Sequence, residues 1–415
     1  MRTLAVTVIT AILIGCQSTK SPVGLKLIAT DFGAIGDGTT LNTLKLQSAI
    51  DDLASKGGGT LVIPQGTFLT GALFLKPGVN LCIDKDGILK GSNDIKDYPP
   101  GNTRIEGHFQ EWTPALINAD SHDNLRIWGE GTIDGNGEVF WKAFRSRYAA
   151  DKTTKNLDVP RPRLLFIQNS NHVRISNLRF KNSGYWNIHL YRCSEVIIDK
   201  VDIRTPDDAP SSDGIDIDSS QHVLVRDSYI ENDDDCIALK GTKGPFAMQD
   251  ASSPPVEHVR VQNCTFAAGH GVLTCGSEAT IVRDVSLVSC RVIGTTSNVL
   301  RLKLRTDTPQ LYEDIHLRDI TLDGKGQLIS IQPWSQYHDL KGEAPPTRTI
   351  RNVSISGVQG KFGAMGIIKP NEGDVIEEIM IKHVDVELTR DNPELQIIGK
   401  AGVTQKDVRI KAREQ

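Results

Sequence analysis

The chain has 415 residues, with 47 lysines and arginines against 51 aspartates and glutamates, a net charge of −4 and a pI near 6.2. That balance excludes nucleic acid or an anionic membrane surface as a partner of the molecule as a whole, although a local basic patch can still receive an acidic ligand. Hydrophobic content of 39%, charged content of 24% and 37 glycines describe a folded, turn-rich chain.

Residues 1–16 read as a leader outside the fold. Leu4 to Ile14 is an almost unbroken apolar run behind a thin positive start at Arg2, and it is too short to span a membrane permanently. It ends Leu13-Ile14-Gly15-Cys16, which resembles a bacterial lipobox with Cys16 as the lipidated residue; residues 17–25 then form a linker. Gln17 and Ser18, in place of aspartate, point to an exported lipoprotein held at the outer membrane, on either face. Membrane contact is expected only through that lipid. The remaining cysteines offer neither a zinc pair nor a dense disulfide framework. Cys264 and Cys290 fall at matching repeat positions, reduced or bonded. Around residues 41–56 the sequence predicts a helix with Leu44, Ile50 and Leu53 as its apolar stripe, stopped by Gly57-Gly58-Gly59.

From residue 172 one phrase keeps returning: a short alternating strand, a polar turn, then another strand. It opens at His172, Glu195, His222, His258, Asp284, Asp314, Asn352 and Glu378, with spacings from 23 to 38 residues. Such repeats cannot bury a face alone and must stack on their neighbours. Helical signals are nearly absent after residue 60. The expected fold is therefore all-β: a right-handed parallel β-helix over residues 26–415, its N-terminal end capped by the short helix. Residues 241–255 and 333–346 break the rhythm and read as loops walling a groove, or as solvated excursions.

Two acidic rungs stand out, Ser212-Asp213-Gly214-Ile215-Asp216-Ile217 and Asp233-Asp234-Asp235-Cys236-Ile237. An offset of 22 places Ile215 over Ile237, Asp213 over Asp235 and Asp218 over Lys240. Adjacent strands lie roughly 4.8 Å apart, so Asp213 and Asp235 can share one water, while alternation turns Asp234 the other way. One carboxyl that protonates a leaving oxygen and another that activates water is the division of labour of an inverting glycosidase, at roughly 6.5–9.5 Å separation. Crowding keeps one acid protonated near neutral pH. We assign Asp234 as general acid and Asp213 with Asp235 as base; from residue types alone a calcium site or a solvated acidic turn is the alternative. Gly269-His270-Gly271 places His270 where it can tune Asp234. In Leu300-Arg301-Leu302-Lys303-Leu304-Arg305, alternation puts Arg301, Lys303 and Arg305 on one outer face, a grip for an acidic sugar.

In this order the motifs Ser211-Ser212-Asp213, Asp233-Asp234-Asp235, Gly269-His270-Gly271 and Arg301-Leu302-Lys303 resemble those of glycoside hydrolase family 28, the polygalacturonases and rhamnogalacturonan hydrolases. The likeness also takes in the stretch from Asp31 and Gly131-Thr132-Ile133-Asp134-Gly135-Asn136-Gly137. It implies a parallel β-helix, no metal or other cofactor, and inverting hydrolysis of α-linked galacturonic acid bonds in an acidic pectic chain. It also implies Arg301 and Lys303 as ligands of the sugar carboxylate, and an aromatic platform for which Trp334 and Tyr337 are candidates. Ser211, Ser212 and Asp233 depart from the family's Asn, Thr and Gly, which keeps rhamnogalacturonan open as substrate. A calcium-dependent eliminase and a non-catalytic glycan-binding solenoid are the competing readings. Endo or exo cleavage stays open, and a monomer is the default.

Overall fold

A computed structural model describes residues 24–412. The leader, Cys16 and most of the linker lie outside the described residues.

Why the repeated phrase makes a coil is visible in its dihedrals. Each opening residue (His172, Glu195, His222, His258, Asp284, Asp314, Asn352, Glu378) is left-handed, with φ between 50° and 58°. The residue five places later is left-handed as well: Asn177, Lys200, Asp227, Asn263, Ser289, Asp319, Gly357 and His383. Left-handed backbone favours Gly, Asn and Asp, whose short side chains tolerate it, and two such bends per phrase turn the chain from one face to the next. The turns stack with the strands and wind the chain into a parallel β-helix of the right-handed sense usual for parallel connections.

Its three faces comprise two ladders that merge toward the C-terminus and a separate ladder of eleven strands. Between the bends, apolar residues fall in register. Ile175, Ile198, Val225, Val261, Leu287, Leu317, Ile355 and Ile381 form one continuous column, each paired with the next. All are fully buried in a single core. Cys264 and Cys290 are buried free thiols on neighbouring rungs.

The N-terminal cap is the helix Thr43–Ser55, closed by Gly57 and Gly58 at φ of 89° and 107°. Its buried face is Leu46, Ala49, Ile50 and Leu53, whereas Leu44 is 83% exposed. The stripe expected from Leu44 is thus corrected: Leu46 and Ala49 share the face of Ile50 and Leu53, and Leu44 points away from it. A second helix, Glu138–Ala150, lies in the stretch after residue 60 where helical signals are nearly absent. It buries only Phe140 and Trp141, too narrow a stripe to announce itself in the sequence.

The eleven-stranded ladder positions the site. Its central strands are Ile188–Tyr191, Ile215–Asp218, Asp235–Lys240, Gly271–Cys275, Asn298–Arg305 and Gln327–Trp334. The antiparallel hairpin Gly101–Ile105 and His108–Trp112 forms a two-stranded sheet of its own.

The cap makes a direct prediction. Leu46→Ala is expected to destabilise the protein by about 2–5 kcal/mol through cavity formation. Leu44→Ala should change stability by no more than about 0.5 kcal/mol. Chemical denaturation of the two variants side by side checks this.

Candidate active site

The expected register holds: Ile215 pairs with Ile237, Ile217 with Leu239 and Asp218 with Lys240. Two cross-links hold the turns ahead of these strands together. The Asp233 N–H donates to Ser212 Oγ at 3.0 Å, and Asn232 donates to the carbonyls of Ser212 and Asp235. Ser212, one of the departures from the family pattern, is therefore a buried strut between the acidic rungs.

One oxygen each from Asp213, Asp234 and Asp235 lies within 4.8 Å of the others. Two expectations change here. Asp234 does not turn away, because it sits in the bend before the strand, where alternation does not apply. The nearest oxygens are also closer than the roughly 6.5–9.5 Å usual for inverting carboxyl pairs, so the spacing gives no argument for inversion.

Each acid has its own partner. Asp235 accepts from Lys303 Nζ at 2.7 Å, Thr274 Oγ1 at 2.8 Å and Arg301 Nη1 at 3.1 Å. Burial pushes its pKa up, but the Lys303 and Arg301 charges outweigh this and hold it well below the carboxylate range. Asp234 meets His270 Nδ1 at 3.1 Å. Its burial is likewise outweighed, by the His270 hydrogen bond and charge, so its pKa falls while that of His270 rises through the same bond. Asp213 contacts Lys240 Nζ at 3.2 Å, yet burial and the neighbouring Asp234 charge push it up to about 7. The acid whose pKa lies near neutrality is thus Asp213, not Asp234. Burial also lifts Asp233 to about 6.

The Lys240 side chain does not form its ion pairs with Asp218, its register partner. Its ammonium lies among Asp213, Asp216 and Glu278 at 3.2, 3.5 and 3.8 Å and 4.5 Å over the Trp186 ring, while Asp218 is taken by Arg104. Arg301 and Lys303 reach the pocket as expected. Arg305 does not: it is buried against Asp307 and donates to the carbonyls of Gln336 and Tyr337, tying down the loop that follows Trp334. Trp334 backs the cations, its ring 4.8 Å from Lys303 Nζ and 5.3 Å from Arg301 Cζ, rather than standing as an open platform. Tyr337 lines the same pocket, and its hydroxyl accepts from the Asn156 N–H at 3.2 Å.

All eight predicted site residues within the described chain line one cavity of about 320 Å³. Sequence reading missed Glu106, Tyr185, Trp186, Lys240 and Glu278, which share it. The carboxylate trio has a ligand spacing that a metal ion tolerates. Lys303, Arg301, Lys240 and His270 already compensate its charge, however, and a cation among them would meet two ammonium groups at close range.

A family model described as glycosyl hydrolases family 28 matches residues 58–401. A probable polygalacturonase of Vitis vinifera is 29% identical over 70% of this chain and 60% of its own length. An endo-polygalacturonase of Pectobacterium carotovorum subsp. carotovorum is 27% identical over 78% of both chains. The solved structure of a hyperthermoactive exopolygalacturonase from Thermotoga maritima superposes with a TM-score of 0.72 at 22% identity, covering 93% of this chain and 91% of that one.

The electrostatics of Asp213 predict a pH effect. Its native state binds the proton more tightly than the unfolded chain does, so this residue lowers stability as pH rises from about 4 through about 7. Asp213→Asn, which leaves Lys240 paired with Asp216 and Glu278, should be more stable than the parent at pH 8 and lose that advantage at pH 3. Urea midpoints at the two pH values give the comparison.

Proposed function

The chain belongs to glycosyl hydrolases family 28, and from that premise we propose that it hydrolyses α-linked galacturonic acid bonds in a pectic chain, with inversion. One observation carries the reading: the Asp213, Asp234 and Asp235 trio shares a pocket with Arg301 and Lys303, the cations an acidic sugar needs. Lys303 Nζ has three donors and spends one on Asp235, and Arg301 spends Nη1 there, so both retain hydrogens for a sugar carboxylate. Asp235, held ionised, takes the proton of the attacking water, and Asp213 hydrogen-bonds the same water.

Asp234 protonates the leaving oxygen. It faces the pocket and is in contact with His270, which can pass it a proton. A substrate that excludes water and brings its own negative charge raises the Asp234 pKa at the moment of need. The raised pKa of Asp213 favours a second assignment, in which Asp213 is the acid.

The two assignments separate on an activated substrate. Asp234→Asn should lose about 10²–10⁴-fold in reducing-end release from polygalacturonate, assayed with a chelator present. It should retain far more activity on a nitrophenyl galacturonide, whose leaving group needs no acid. If Asp213→Asn shows that rescue instead, the roles exchange. Proton NMR of the first-formed anomer tests inversion, and a rhamnogalacturonan oligomer run in parallel tests the alternative substrate.

The leader reading complements this activity: lipid on Cys16 would hold the enzyme at the envelope, beside its polymeric substrate. Fatty-acid labelling of the parent chain that disappears in Cys16→Ala is the expected result; labelling that survives counts against the anchor.

A further inference from the structure

The eleven-stranded ladder is the floor of the groove, and its outward positions run His189, Asp216, Ala238, Thr274, Arg301 and Ser330 in paired register. On the N-terminal side of the acids, the floor residues His189 and Asp218 are buried beneath a segment laid across the ladder.

The cover is the hairpin Gly101–Ile105 and His108–Trp112. Arg104 binds Asp218 through Nε at 2.9 Å and Nη2 at 3.2 Å, and its guanidinium lies 4.7 Å over the Tyr191 ring. Arg163 donates to the Arg104 carbonyl and to Thr103 Oγ1 while contacting His189 Nδ1. Phe109 packs edge-on against Tyr191, and Trp112 against Tyr185. Charged groups this deeply buried are costly unless paired, and the pairing fixes the hairpin to the floor. The tip is Glu106-Gly107, with φ of 42° and 84°, a two-residue turn of the tight hairpin type. A hairpin tip normally faces solvent. This one enters the pocket of the acids, where Glu106 Oε1 accepts from Tyr185 Oη at 2.8 Å and Oε2 lies 3.7 Å from Lys243 Nζ.

We propose that this hairpin makes the groove blind on one side of Asp213, Asp234 and Asp235, so that the enzyme removes single terminal units from a pectic chain, with Glu106 accepting hydrogen bonds from the hydroxyls of the end unit. The inference rests on the hydrolase reading above. Charge orients the end unit: the chain's carboxylates turn to Arg301 and Lys303, and uncharged hydroxyls turn to Glu106. The Asn156–Tyr337 contact closes a further part of the rim, joining the loop before strand Leu165–Gln168 to the loop after strand Gln327–Trp334.

The full-length enzyme acting on a defined galacturonic acid hexamer tests this. The expected time course is monomer appearing with pentamer, then tetramer. Early dimer, trimer and tetramer with little monomer overturns the blind groove while leaving the hydrolase reading intact. No product of any length from any pectic substrate overturns the hydrolase reading, and this inference with it. Glu106→Gln, which preserves shape, should raise KM for the hexamer about tenfold or more with a smaller change in kcat, as the loss of a hydrogen bond to a charged group does. An unchanged KM removes Glu106 from substrate recognition.

Discussion

Asp235 sits between Lys303 and Arg301, two cations from strand Asn298–Arg305, and receives a third donor from Thr274 on the strand between. That interaction fixes the ionisation state of one acid. It also holds two cations at the wall of the pocket that the three acids share. Because the partners belong to three successive rungs, the arrangement depends on strand stacking: a slip of one residue would turn Lys303 inward and leave Asp235 buried without a countercharge. The aliphatic columns of the core, which resist such a slip, therefore support the chemistry as well as the fold.

Much of this was legible in the sequence. The apolar residues of the two acidic rungs gave the offset that the structure keeps, since Ile215 and Ile237 must share the core. Arg301 and Lys303 followed from alternation along a regular strand. Where alternation stops, the sequence misled. Asp234 lies in the bend before its strand and turns to join its neighbours. Arg305 lies where its strand runs out, and Asp307 draws it into the loop. The Asp218–Lys240 pairing was right as register and wrong as contact, because both residues found stronger partners in Arg104, Asp213 and Glu278.

The hairpin and the helix Glu138–Ala150 were missed for a different reason. Both are excursions from the coil, and the repeat that revealed the coil carries no information about what is laid over it. The signal for the hairpin was present in Glu106-Gly107 between two short strands, but nothing local says that its Arg104 lands on Asp218, 114 residues away. Such contacts convert a uniform solenoid into a particular pocket. A scaffold of stacked rungs supplies the floor, and long-range ion pairs between excursions and floor determine how much of it a substrate meets.

If one pocket combines the acids, the cations and a closed end, a crystal structure of Asp234→Asn with a galacturonic acid trimer will show it. The expected complex has a sugar carboxylate on Lys303 and Arg301, a glycosidic oxygen beside residue 234, and the terminal unit stopped against Glu106. A trimer running past the hairpin on both sides of the acids, or one whose carboxylates avoid Lys303 and Arg301, would contradict it.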